Sequence, residues 1–304
     1  MPEAPLPPLE LMHRVGRIED EPDVAAAYEA IGRRCRERLE RVLPDDWSWE
    51  GKKVLDFGCG AGRTLRHFLA EAERGELHGC DIDHASIAWL QEHLAPPLHV
   101  FENGELPPLP QPDSYFDLAY AFSVFTHLAD HWARWLLELH RVLKPRGFLF
   151  ATFLNEPYWP VYGRGRWDED RIGMNVIKKW NAWEEGGPIV FHSEWWIREH
   201  WARAFDVLFL ERSDPAESPY GQGGALLCRR DERPAAEELE RASADPRELA
   251  AARFNVEQLH WEAAELAVHH AALRSELDTI ANSRSWKLTG PLRAARGLLR
   301  KSGG

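Results

Sequence analysis

The chain has 304 residues, 44% of them apolar and 28% charged, which is enough for one large core with an appendage. Its formal net charge of −12 excludes a body that condenses on nucleic acid through charge alone. Four scattered cysteines, Cys35, Cys59, Cys80 and Cys228, contain no Cys-x-x-Cys pair and exclude a disulfide frame or a thiolate zinc site. Residues 1–20 carry Pro2, Pro5, Pro7 and Pro8 and predict an extended arm, with no basic segment leading an apolar one. No run of 18 apolar residues follows, so a cytoplasmic body without a membrane span is expected. Asp23 to Leu43 has the spacing of an amphipathic helix, which completes a first region, 1–44.

The next region, 45–230, opens on Lys52-Lys53-Val54-Leu55-Asp56-Phe57-Gly58-Cys59-Gly60-Ala61-Gly62. This predicts an apolar strand that ends in an acid and three alternate glycines, with a helix starting near Ala61. Glycines at such a turn let backbone approach a ligand that a Cβ would push away, and a helix start offers free N–H groups. A dinucleotide fingerprint would need a third glycine at position 63, where the chain has Arg63. A helix is predicted from Thr64 to Glu71. A second strand, Leu77–Cys80, ends at Asp81, where a ribose diol would need a carboxylate. Asp83 is the nearest rival to Asp81 for that role, or else the cap of a helix beginning near Ala85. A third strand, His99–Phe101, runs into Glu102-Asn103. A fourth, Phe116–Tyr120, opens into Ser123-Val124-Phe125-Thr126-His127-Leu128. A fifth spans Gly147–Phe153.

The ordered motifs over about residues 50–155 resemble the class I S-adenosylmethionine (SAM) dependent methyltransferases. The resemblance implies a doubly wound α/β fold with a mostly parallel seven-stranded sheet and SAM as cofactor. It implies that Asp56, Gly58, Cys59, Gly60 and Gly62 surround the amino-acid end of the cofactor. Asp81 with Ile82 would meet the ribose, Glu102 and Asn103 the adenine amino group, and Ser123 would lie beyond the fourth strand. It also implies that the leading helix covers the cofactor pocket. Phe205–Leu210 and Gly224–Cys228 are the last two strands, matching the antiparallel final strand of that family.

Between Leu154 and Trp201 lies an insert rich in rings: Tyr158, Trp159, Tyr162, Trp167, Trp180, Trp183, Phe191, Trp195, Trp196 and Trp201. Flat rings with a polar edge suit the faces of sugar rings. Trp195, Trp196 and Trp201 sit in a helix predicted to start at Ser193, where at least two should be core; Tyr158, Trp159 and Trp167 are the acceptor candidates. Methyl transfer to a hydroxyl needs its proton removed, and a base titrating near neutrality favours histidine. His127 at the carboxyl edge of the sheet is the first candidate, with Glu156 and His192 as alternatives. No metal-ligand spacing stands out.

A long helix is expected over 231–281, with a start signal at Asp245-Pro246-Arg247-Glu248. From it a three-four spacing runs through Leu249, Ala252, Val256, Leu259, Ala263, Leu266, His270, Leu273, Leu277 and Ile280. This describes a coiled-coil seam roughly 48 Å long and a candidate homodimer contact, or a helix folded back on the domain. No acid follows Asp278, while Arg284, Lys287, Arg293, Arg296, Arg300 and Lys301 do, so 282–304 reads as a basic amphipathic tail. Such a tail suits the anionic inner face of a membrane. Residues 283–293 also resemble a C-terminal segment of bacterial glycosyltransferases and methyltransferases of surface-polysaccharide assembly. The acceptor implied is a glycan, with a small molecule of specialised metabolism, or a SAM-binding scaffold without turnover, as the other readings.

Overall fold

The computed structural model describes residues 4–14, 18, 21–179, 187–214 and 221–289. The chain divides into two compact units, Met1–Ala252 and Arg253–Gly304. The first contains, in order, α1 (Leu9–His13), α2 (Val24–Val42), β1 (Lys53–Phe57), β2 (Glu76–Asp81), α3 (His84–His93), β3 (His99–Glu102), β4 (Phe116–Ala121), α4 (Trp132–Val142) and β5 (Leu143–Phe153). It continues with α5 (Trp159–Tyr162), β6 (Met174–Ile177), β7 (Ile189–His192), α6 (Glu194–His200), β8 (Phe205–Glu211), β9 (Gly223–Arg229), α7 (Ala236–Glu240) and the start of α8 (Arg247–Asn282). In the second unit α8 continues and is followed by α9 (Arg284–Leu288), whose first turn is capped by the Ser283 hydroxyl accepting from the Trp286 amide.

Seven strands form one sheet in the order β3-β2-β1-β4-β5-β9-β8. Neighbours from β3 to β5 pair in parallel, and β9 alone runs against them, antiparallel to both β5 and β8. This is the expected doubly wound sheet with its reversed last strand. The chain order reverses between β1 and β4, which opens a crevice at their carboxyl ends, the place where such sheets bind ligands. Both faces of the sheet are covered, so its strands are nearly continuous apolar runs: four of the five residues of β1 are buried.

The helices take their places by apolar spacing. In α4, Trp132, Trp135, Leu136 and Leu139 turn inward and join Phe116 and Leu149 in one core layer. In α2, Tyr28, Ile31, Cys35 and Leu39 are buried, and the Asp23 carboxylate caps the helix by accepting from the Ala26 amide at 3.0 Å. A Cβ on Gly32 would stand 2.0 Å from the Arg63 carbonyl oxygen, so glycine lets α2 lie directly on the loop after β1. The expected covering helix is therefore in place over the glycine loop.

Four expectations need correction. No α-helix follows the loop: Leu65–Phe68 and Glu71–Glu73 are separate 3₁₀ turns. Gly62, at φ +78°, lies outside the right-handed region a helix starting at Ala61 would need. The arm is not wholly extended, since α1 forms and buries Leu11 and Met12. The insert carries a strand pair that its sequence did not announce, β6 with β7, and β7 is held to the sheet by the His192 amide donating to the Leu154 carbonyl at 2.8 Å. Region 231–281 is not one helix, because α7 ends before Pro246, and α8 starts where Asp245 accepts from the Arg247 amide at 2.9 Å. Trp180, Trp183 and the tail beyond Thr289 lie outside the described residues.

Candidate functional site

The site grows from the turn that follows β1. Gly58, Gly60 and Gly62 have φ of +79°, +51° and +78°, a left-handed conformation at all three alternate positions that other residues adopt only with strain. At Gly58 there is no room either, since a Cβ would lie 2.3 Å from Val124 Cγ2. The loop is fastened to β2: the amides of Gly58 and Cys59 donate to the Cys80 carbonyl at 2.8 and 3.0 Å. The Gly60 amide donates to Asp81 Oδ2 at 2.7 Å. From below, the buried Tyr28 hydroxyl of α2 donates to the Ala61 carbonyl at 3.1 Å.

Asp81 ends β2 and is nearly buried. Its Oδ1 accepts from the Asp83 amide at 2.9 Å. Burial pushes its pKa above the ordinary carboxylate value, and the amides of Asp83 and Gly60 pull the other way. Two amides leave lone pairs on both oxygens, which is the capacity two vicinal hydroxyls would use. Asp83 stands at the start of α3, but its carboxylate takes the Ser86 hydroxyl and Arg14 of the arm, each at 2.5 Å, rather than capping the helix with a side-chain bond to an amide. Ile82 between them keeps a substantially exposed aliphatic chain, suited to the face of a flat ring.

Asp56 lies one strand inward and is buried; desolvation pushes it up to about 8, opposed by the Tyr120 hydroxyl and Arg63, while Asp81 reinforces the rise. Asn103 follows β3. Its side-chain amide donates to the Gly104 carbonyl at 2.9 Å, which fixes the amide's orientation and leaves Oδ1 buried and without a hydrogen bond. An orphaned acceptor at that place is what an adenine amino group would satisfy. With the loop's left-handed glycines, it makes the residues chemically fit for an adenosyl cofactor bearing an amino-acid end.

Two cofactor candidates stand elsewhere. The Cys59 thiol points into the core beside Gly79, and burial raises its pKa well above 9, so only its backbone faces the turn. Glu102 is exposed and bound to His84 Nδ1 at 2.7 Å. Ser123 follows β4 with φ +62°, and its conformation is held from β5 and from the residue before β9. Its amide donates to Thr152 Oγ1 at 2.7 Å, Thr152 Oγ1 donates to Gln222 Oε1 at 2.7 Å, and Gln222 Nε2 donates to Ser123 Oγ at 2.8 Å. Neither Thr152 nor Gln222 carries a sequence signal of its own; the left-handed Ser123 points to them.

Of the candidate bases, His127 is partly buried in the turn that follows β4, and its Nδ1 donates to the Pro188 carbonyl at 2.8 Å. That bond places the proton on Nδ1 and the lone pair on Nε2, and burial lowers the pKa below the ordinary 6.5, so the ring is neutral at pH 7. His192 is fully buried between Trp196 and Trp201 with both ring nitrogens lacking hydrogen bonds, and desolvation brings it down to about 3. It belongs to the packed layer under the insert. Glu156 is exposed and shares Arg212 with Glu194, at 3.8 and 2.8 Å.

The rings divide likewise. Trp195, Trp196 and Trp201 are buried, as helical spacing implied. Trp159 joins them, against expectation: it packs edge-on against Trp167 and Phe191, and a Cβ on Gly163 would sit 2.2 Å from its ring, so glycine admits it to the core. Tyr158 and Trp167 remain half-buried, and Trp167 Nε1 donates to Glu169 at 2.8 Å. Among the described residues no cluster of three or more metal-ligating side chains occurs, and no helix is long and apolar enough to cross a membrane.

Residues 55–149 match a methyltransferase domain family. Over 157 residues the chain is 34% identical to a malonyl-[acyl-carrier protein] O-methyltransferase of Halorhodospira halophila, covering 48% of each protein. It is 36% identical over 103 residues to a probable S-adenosylmethionine-dependent methyltransferase of Mycolicibacterium smegmatis, covering 34% of this chain and 38% of that protein. A solved S-adenosylmethionine dependent methyltransferase from Mesorhizobium loti aligns with 64% of this chain and 96% of its own at 21% identity and a TM-score of 0.46. The chain thus matches about half the length, or less, of these curated relatives. Residues 55–149 thus carry the methyltransferase-domain match, set in a doubly wound, Rossmann-like sheet.

Proposed function

We propose that this chain transfers the methyl group of SAM to a hydroxyl of a sugar or glycan, in the assembly of a surface polysaccharide. In this reading Asp81 accepts the ribose hydroxyls, Ile82 and Asn103 take the adenine, and the left-handed glycines with Asp56 receive the amino-acid end. SAM supplies an activated methyl group, so the protein's task is to place the acceptor oxygen in line and remove its proton. His127 takes that proton on Nε2, the nitrogen left basic by its bond to Pro188. Tyr158 and Trp167, half-buried at the rim of the insert, form the face against which a sugar ring lies.

The observation that carries the cofactor half of this reading is the bond between Gly60 and Asp81, which joins the loop and the carboxylate into one cradle. The acceptor half rests on residues 283–293, which resemble a segment of polysaccharide-assembly enzymes. Contact of 282–304 with an anionic membrane face belongs to the same reading, where a lipid-linked glycan would be met. Release of S-adenosylhomocysteine on mixing the protein with SAM and a panel of sugars and lipid-linked oligosaccharides tests it. Turnover confined to sugar acceptors supports it, and turnover only on acyl or aromatic acceptors overturns the glycan assignment.

A further inference from the structure

Methyl transfer makes no use of the apolar stripe along α8. Val256, Leu259, Leu266, Leu273, Leu277 and Ile280 are large, exposed apolar side chains on a single helix. They recur at alternating steps of three and four, with Ala263 and His270 completing the series, which is a heptad with these residues at its a and d positions. From Val256 to Ile280 the stripe is roughly 36 Å long at the helical rise. A stripe of that length left in water is a contact surface.

We propose that α8 pairs with α8 of a second copy of this chain as a parallel, in-register coiled coil. The choice of occupant follows from what the helix would meet. In a parallel, in-register pair each a position faces itself, so His270, the one polar seam residue, meets the second copy's His270 and the two imidazoles can share a hydrogen bond. Antiparallel pairing over the full length would set each His270 against Leu259 and Arg253 against Arg274. It would bury an imidazole against an aliphatic chain and bring like charges together. The flanking positions agree. In the parallel arrangement Glu262 and Glu276 face Ala267 and Ala281, so no acid crosses an acid. The helix therefore reads its own copy and its own direction.

Sedimentation equilibrium of the full chain tests this with two substitutions two residues apart. Leu266 is on the seam and 63% exposed; Val268 is off it and 72% exposed, so neither supports the fold of the body. Wild type and Val268→Glu should be dimers at micromolar concentration, and Leu266→Glu a monomer with unchanged helical circular dichroism. The four natural cysteines are buried, so His270→Cys should oxidise to a single covalent dimer. A monomeric wild type, equal dissociation by both glutamates, or a dimer that His270→Cys cannot lock would overturn the proposal. None of these readouts depends on methyl transfer.

Discussion

The Gly60 amide donates to the Asp81 carboxylate at 2.7 Å, so the middle glycine of the loop and the last residue of β2 hold each other. This bond costs Asp81 one lone pair and gives it a fixed direction. It also ties the geometry of the glycine loop to that of the carboxyl end of β2.

Asp81 is raised above the ordinary carboxylate range, chiefly by burial. The charged form should bind ribose hydroxyls, so cofactor affinity should fall as the pH drops, beginning above the range of a free carboxylate. Asp81→Asn keeps the shape but loses the charge, and should weaken S-adenosylhomocysteine binding by about 10- to 100-fold, the worth of charge-assisted hydrogen bonds. Calorimetric titration between pH 4 and pH 8 checks both; an affinity independent of pH in wild type would remove Asp81 from the site.

Gly58 combines a φ of +79° with a missing Cβ that would lie 2.3 Å from Val124 Cγ2. Gly58→Ala should cost roughly 1–3 kcal/mol of stability and most of the cofactor binding. Adding Val124→Ala removes the clash but not the dihedral strain, so the double variant should recover part of the stability and little of the binding. Urea unfolding beside binding measurements reads the two effects separately.

Asp56, held at about 8 by burial, keeps a proton in the folded protein that the unfolded chain gives up near pH 4. Across the window from about 4 to 8 the unfolded state therefore binds fewer protons, and stability falls as the pH rises. Asp56→Asn carries no such proton. Without cofactor it should equal wild type near pH 4 and exceed it at pH 7.5 by on the order of 1–3 kcal/mol. Parallel denaturant curves at the two pH values decide this, and identical slopes in the two proteins would contradict it.

His127, lowered by burial below 6.5, should stay neutral at physiological pH and place the acid limb of the rate profile below that of a free imidazole. His127→Ala should lower kcat by roughly 10²–10⁴-fold while leaving S-adenosylhomocysteine affinity within about two-fold, because the role proposed for it is proton removal. A variant with wild-type turnover, or an unchanged acid limb, removes the base from this position.

Much of this architecture is legible in the residues alone where backbone chemistry is restrictive. Three alternate glycines can be left-handed at once and an acid can end a strand; each restricts the backbone locally, and each recurs in the structure. Side-chain direction is less legible. Trp159 looked like a loop ring but is buried because Gly163 makes room for it, and that relation depends on a turn geometry the spacing does not encode. His192 looked like a base at the edge of the insert, yet the unannounced pairing of β6 with β7 carries it under Trp196 and Trp201. The ring of bonds among Ser123, Thr152 and Gln222 joins residues as far as 99 positions apart, and no local pattern marks it.

The most direct test is calorimetric titration of the purified protein with S-adenosylhomocysteine and, separately, with NAD⁺. One S-adenosylhomocysteine is expected per chain, bound in a manner that Asp81→Asn weakens, with no binding of NAD⁺. Binding of NAD⁺, or of S-adenosylhomocysteine with an affinity untouched by Asp81→Asn, would contradict it.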